Sequence, residues 1–215
     1  MWGKVCNVAV ATDFDQLSKE LDLDDASRAQ LFRRAIVAGG AIVGGIATWG
    51  LPELTSAASK EQDARVLNLA LALEYTEAAF YQEALDAGGL QGDLKEYAQI
   101  VLEHEKAHVA FLKQALGSAA EPAPSHEFGG KTRDAEAFTA AAIVLEDLVV
   151  STYNGQAVNL TPAALKAAAR IVSVEARHAA WIRSILGKVP ATEPTDAALK
   201  EDDTRAKLRA IGGKP

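Results

Sequence analysis

Two short units constrain this chain more than anything else in it. Glu105-Lys106-Ala107-His108 and Glu175-Ala176-Arg177-His178 both read Glu-x-x-His, and each lies inside a long segment of helical periodicity. Residues three apart project from one side of a helix, so each unit aims an acid and an imidazole the same way. That side is apolar: Leu94, Ala98, Val101, Val109 and Leu112 flank the first unit, and Leu165, Ala168, Ile171, Val172, Ala179, Ile182 and Ile185 flank the second. Two further segments place glutamate in an apolar stripe. One carries Leu67, Ala70, Leu71, Glu74, Glu77, Ala78, Tyr81 and Leu85; the other carries Phe138, Ala142, Leu145, Glu146, Val149 and Tyr153. An unpaired carboxylate buried in a core costs several kcal/mol unless it takes up a proton. No lysine or arginine lies on these stripes. Four helices that gather their glutamates round one axis therefore call for a pair of bound cations.

The segments have clear ends. The first is predicted from Lys60 to Ala87, stopping at Gly88-Gly89, and the second from Asp93 to Leu116, stopping at Gly117. A loop rich in proline and glycine follows. The third runs from Arg133 to Tyr153 and the fourth from Thr161-Pro162, an N-cap followed by proline at the first helical position, to Gly187. A short polar helix is predicted in the tail, capped by Thr195 and ending near Ala210. No stretch alternates with the period of a strand, so the fold class is all-α. Four long helices with the long connection between the second and third make an antiparallel four-helix bundle. The bundle occupies residues 59–189, after a leader over 1–58 and before a tail over 190–215.

His104-Glu105-Lys106-Ala107-His108 also matches the H-E-x-x-H pattern of zinc proteases. In the second unit the position of His104 is filled by Val174, so the repeated element is Glu-x-x-His alone. The extended protease pattern fails too, because Phe111 stands for its glycine and Gln114 for its third histidine. His104, about 100° round the helix from Glu105, reads as a flanking or surface residue. The two halves otherwise match: Leu73–Tyr81 aligns with Leu145–Tyr153, which pairs Glu74 with Glu146, Tyr81 with Tyr153 and Glu77 with Val149.

Residues 28–58 have a different character. Arg33-Arg34 precedes an uncharged, glycine-rich run from Ala35 to Pro52 and then small residues to Ala58. That order is similar to a twin-arginine export signal and implies a periplasmic or other extracytoplasmic location. An uncleaved membrane tether through 35–52 and a buried helix of the fold are the alternatives. The net charge of −7, without a basic stripe, argues against nucleic-acid partners. The single cysteine, Cys6, rules out a disulfide framework within the chain.

In its six ordered acids and imidazoles the chain resembles the ferritin-like dinuclear-metal carboxylate proteins, the group of ferritins and rubrerythrins. These take one glutamate from each of two helices and Glu-x-x-His from each of the other two. Glu74, Glu105, His108, Glu146, Glu175 and His178 fill that pattern in chain order. With its leader and the run "LNLALALEYTEAAFYQEAL", the chain looks most like exported bacterial ferritin-like domains. The resemblance implies two iron ions, or manganese as the alternative. Glu105 and Glu175 would bridge them, Glu74 and Glu146 would be terminal ligands, and each histidine would serve one ion. Glu77 is an extra ligand or a neighbouring acceptor. Glu105, Glu175 and Tyr81 are the candidate catalytic residues. The implied activity is oxidation of Fe(II) at the expense of O2 or peroxide. The competing readings are metal storage without fast turnover and a metal-free scaffold. Homo-oligomerisation is a further expectation from the family.

Overall fold

The computed structural model describes residues 58–214; the predicted tether, and all of the predicted leader but its last residue, lie outside them. The described residues form five α-helices: α1 (Lys60–Ala87), α2 (Gly92–Leu116), α3 (Ala135–Gln156), α4 (Pro162–Ile185) and α5 (Glu201–Ile211). The all-α bundle expected from the sequence is what forms. Local chemistry fixes the helix ends. Ser59 Oγ caps α1 by accepting from the Gln62 amide, Asp134 caps α3 through Ala137, and Thr161 caps α4 through Ala164. At the far end of α1, Gly88 turns left-handed at φ 72°, which only glycine does without steric cost.

The short α1–α2 and α3–α4 connections make two hairpins, α1 packing most extensively on α2 and α3 on α4. Residues 117–134 cross between them. Asn68 holds the start of this crossover, donating to the Ala119 carbonyl and accepting from the Glu121 amide, both at 2.9 Å. Asp63 ties the hairpins together at the other connection, accepting from the Thr161 amide at 2.8 Å and the Thr161 hydroxyl at 2.6 Å.

Three features depart from the sequence reading. First, α1 is buried on a second face as well, through Leu69, Leu73, Thr76 and Phe80. The crossover covers that face: Phe128 packs edge-on against Phe80, and His126 Nε2 meets Thr76 Oγ1 at 3.2 Å. A helix apolar all round is a helix enclosed all round. Second, the crossover strand β1 (Ser125–His126) pairs antiparallel with β2 (Gly213–Lys214), two residues each and too short to show as alternation. Third, the tail helix starts at Glu201 rather than Thr195, and Thr195 does not cap it. Leu199 is instead docked on α3, its amide donating to the Ser151 carbonyl at 2.9 Å. Gly155 makes room for this, because a Cβ there would sit 1.9 Å from the Leu199 carbonyl oxygen. The first turn of α5 carries Glu201, Asp202 and Asp203, which suit its positive end.

Most predicted inward residues are in the core. Leu165 is the exception: at 39% exposure it lies on the outer side of the first turn of α4.

Candidate metal centre

Midway along the bundle five carboxylates meet two imidazoles. Glu74 and Glu77 come from α1, Glu105 and His108 from α2, Glu146 from α3, and Glu175 and His178 from α4. All five glutamates have 0% exposure. The structure therefore brings together all six sequence candidates and Glu77.

The two imidazoles face inward through Nδ1. His108 Nδ1 lies 3.1 Å from Glu74 Oε2, 3.0 Å from Glu105 Oε2 and 2.8 Å from Glu175 Oε1. His178 Nδ1 lies 3.2 Å from Glu105 Oε1, 3.3 Å from Glu175 Oε2 and 3.5 Å from Glu146 Oε2. Glu105 and Glu175 thus each span both histidines, one oxygen to each. Glu74 reaches only the first, and Glu146 only the second.

Phenols hold the two outer carboxylates. Tyr153 donates to Glu74 Oε1 at 2.8 Å, and Tyr81 donates to Glu146 Oε1. The pairing is crossed: the tyrosine of each hairpin serves a glutamate of the other. A third phenol, Tyr97 of α2, donates to the same Glu146 oxygen at 3.2 Å and lies 3.0 Å from the Tyr81 hydroxyl. Burial, and then the adjacent carboxylate, pushes all three phenols up, so each remains a donor. Sequence reading missed Tyr97, although it precedes Val101 and Glu105 by four and eight residues on one stripe.

His104 also differs from expectation. It is an edge residue, but its Nδ1 lies 2.8 Å from His178 Nε2 and its ring stacks on His178 at 5.1 Å. It therefore holds the outer nitrogen of His178. His104 and Trp181 line a groove against which both site histidines also lie. His108 is the more open of the two, with 12% of its side chain exposed against 3% for His178. Asp147 and Glu103 stay outside the cluster, pairing with Arg183 and Lys106.

Charge governs the site. Burial pushes Glu74 and Glu77 well up, and pushes Glu146 up to about 7 against the pull of His178. Burial works the same way on Glu105, yet hydrogen bonds from His108 and His178 outweigh it and hold that carboxyl at about 2. Burial disfavours both imidazolium ions, but the carboxylates around them win and raise each to about 12. Two protons on histidine thus offset part of the acid. They do not satisfy it. Glu105 Oε1, Glu146 Oε2, Glu175 Oε1 and both oxygens of Glu77 are buried with no aligned hydrogen-bond donor. Among the described residues no lysine or arginine pairs with these acids. Ligand atoms of Glu74, Glu105, His108 and Glu175 lie within 4.8 Å of one another, as do those of Glu105, Glu146 and His178. Buried carboxylates with lone pairs aimed at shared space, plus two imidazoles, are a donor set that fits a hard or borderline cation.

A family model for the ferritin-like domain matches residues 62–188, more than half of the chain. The chain belongs to the ferritin-like domain family. No curated protein matches it. In this ferritin-like domain the matched residues contain α2 to α4, all but the first two residues of α1, and every glutamate and histidine of the cluster. The helix α5 that packs on α3 lies beyond the match. Among the described residues no helix is long and apolar enough to cross a membrane.

Proposed function

We propose that this ferritin-like domain holds two iron ions, manganese being the alternative, and acts as an oxidoreductase on O2 or peroxide coupled to Fe(II) oxidation. The observation that carries this reading is the reach of Glu105 and Glu175 to both imidazoles. Two carboxylates placed between two metal positions would have that geometry. An iron pair held there by these residues would supply the two electrons that, with two protons, take peroxide to two waters.

The chain's own residues prepare that chemistry. Glu105 and Glu175 are the shared ligands. Glu74 with His108, and Glu146 with His178, complete the two sides. Tyr153 and Tyr81 fix Glu74 and Glu146, so Tyr81 acts by positioning a carboxylate. The aromatic cluster of Tyr81, Tyr97 and Phe138 keeps water from that end of the site. The groove beside His108 admits a small oxidant. The Arg33-Arg34 leader supports export as part of the same proposal, and N-terminal sequencing of the exported protein tests it.

Stopped-flow absorbance after mixing the apoprotein and Fe(II) with O2 or peroxide tests the activity. Ferric absorbance should grow in well above the buffer rate. Oxidation at the buffer rate by a protein that still binds iron would remove the enzyme reading and leave storage.

His104 gives a separate prediction. Partners of the outer nitrogen of a ligating histidine typically contribute 10–100-fold in metal affinity. His104→Ala should weaken binding on the His178 side about tenfold, and His104→Gln, which can still accept from His178 Nε2, should recover most of it. Equilibrium dialysis with Mn(II) measures both. Equal binding by wild type and His104→Ala would rule out this support.

A further inference from the structure

We propose that Glu77 is a seventh ligand, bound to the metal on the His178 side alone, and that the two metal positions are therefore unequal. This rests on the dinuclear reading above. Glu77 has 0% exposure, and neither of its carboxylate oxygens has a hydrogen-bond partner. Every other glutamate of the cluster has an imidazole nitrogen within 3.5 Å. A packing role does not account for Glu77. As a neutral acid it would need an acceptor for its proton, and none is bonded to it; as an anion it would need a donor. Nor does the bundle require an acid there. The matching position of the other hairpin is Val149, equally buried at 0%.

Its placement decides which side it serves. A ligand atom of Glu77 lies within 4.8 Å of ligand atoms of Glu146 and Glu175. Glu146 belongs to the His178 side. That side then collects His178, Glu146, Glu105, Glu175 and Glu77. The His108 side collects His108, Glu74, Glu105 and Glu175, one donor fewer, and is also nearer to solvent. Charge follows the same division. Four carboxylates neutralise two divalent ions, and the fifth adds a negative charge beside one of them. The His178 side should bind its ion first and more tightly, leaving the His108 side with the vacancy for an exchangeable ion or an oxygen ligand.

Anaerobic titration of the apoprotein with Co(II), followed by dialysis and visible absorbance, tests this. Wild type should bind two ions in two resolved steps. Glu77→Gln should still bind two, with the tighter step weakened about tenfold or more, so that the steps converge; the magnitude is scaled from losses of ligand support. Glu74→Gln should weaken the looser step and drive the steps apart. Glu77→Asp, which keeps the carboxylate, should fall between wild type and Glu77→Gln, and serves if the glutamine variant folds poorly. Two ions bound to Glu77→Gln with both steps within twofold of wild type would overturn the role of Glu77 while leaving the dinuclear site standing. Failure of wild type to bind Co(II) would overturn both.

Discussion

On the dinuclear reading, Glu105→Ala combined with Glu175→Ala should abolish metal binding: retention should fall from two ions per chain to none, read by metal analysis after dialysis against Mn(II) or Fe(II). No other pair of substitutions should have so large an effect, because no other carboxylate among the described residues faces both imidazoles. Loss of Glu74 or Glu146 alone removes a donor from one side and should weaken one ion while leaving the other in place. A second readout needs no metal. His108 and His178 hold their protons up to about 12 because of the carboxylates around them, Glu105 foremost among these in both cases. In the double variant both imidazoles should titrate far nearer the ordinary histidine range of about 6.5, which NMR of the ring protons follows. Removing one partner of a buried ion pair commonly costs about 3–5 kcal/mol, so the variant should also melt earlier. The glutamine pair, which keeps shape, separates lost ligation from lost folding. Two ions retained per chain by the double variant would sink the assignment of the site.

Metal removal should lower the melting temperature steeply, and by more as pH rises. A ligand at a thousand times its dissociation constant stabilises the native state by about 4 kcal/mol. Two such ions give about 8 kcal/mol, and a chain of this size shifts about 2–4 °C per kcal/mol. A difference of roughly 15–30 °C between loaded and chelated protein is the expectation. The pH trend follows from protons that metal must displace. Glu146 rises from 4.5 to about 7 in the folded apoprotein, so its contribution to apo stability is present below 4.5 and lost as pH climbs through 7. The raised imidazoles add stability that is fully present below about 6.5 and is lost progressively as pH rises towards about 12. The apoprotein therefore weakens from pH 4.5 upward, through Glu146 first and the imidazoles above 6.5. Metal affinity strengthens over the same range and beyond, about tenfold per pH unit for each proton displaced from an ion's ligands. Calorimetry with and without chelator at pH 5 to 8 should show the gap widening. Addition of Mn(II) to weakly buffered apoprotein should release acid. A constant gap with no proton release would contradict the protonation pattern of the site.

Much of this was legible in the sequence because local rules set it. Helix ends followed from Gly88-Gly89, Gly117 and Thr161-Pro162, which act within one turn of themselves. The six candidate ligands followed from acids and histidines breaking an apolar stripe at helical spacing. What escaped is what tertiary contact decides. His104 points about 100° from Glu105, and only the approach of α4 turns it from a surface histidine into a partner of His178. Leu69, Leu73 and Phe80 read as an excess of apolar residues until the crossover is laid over them. The late start of α5 depends on Leu199 finding the gap that Gly155 leaves on α3, a contact between residues far apart in the chain. Tyr97 was readable by spacing, but one aromatic among apolar neighbours carries no sign of the carboxylate it meets.

The crossed tyrosines carry a consequence for how the protein comes together. Tyr81 and Glu146 are 65 residues apart in the chain, and Tyr153 and Glu74 are 79 apart. Neither hairpin alone owns both a glutamate and the phenol that steadies it. A chain with one hairpin folded can offer an ion a single Glu-x-x-His and loose acids, nothing that holds it firmly. On the dinuclear reading, ion capture would be a late and cooperative event, and retained metal would report that both halves have docked.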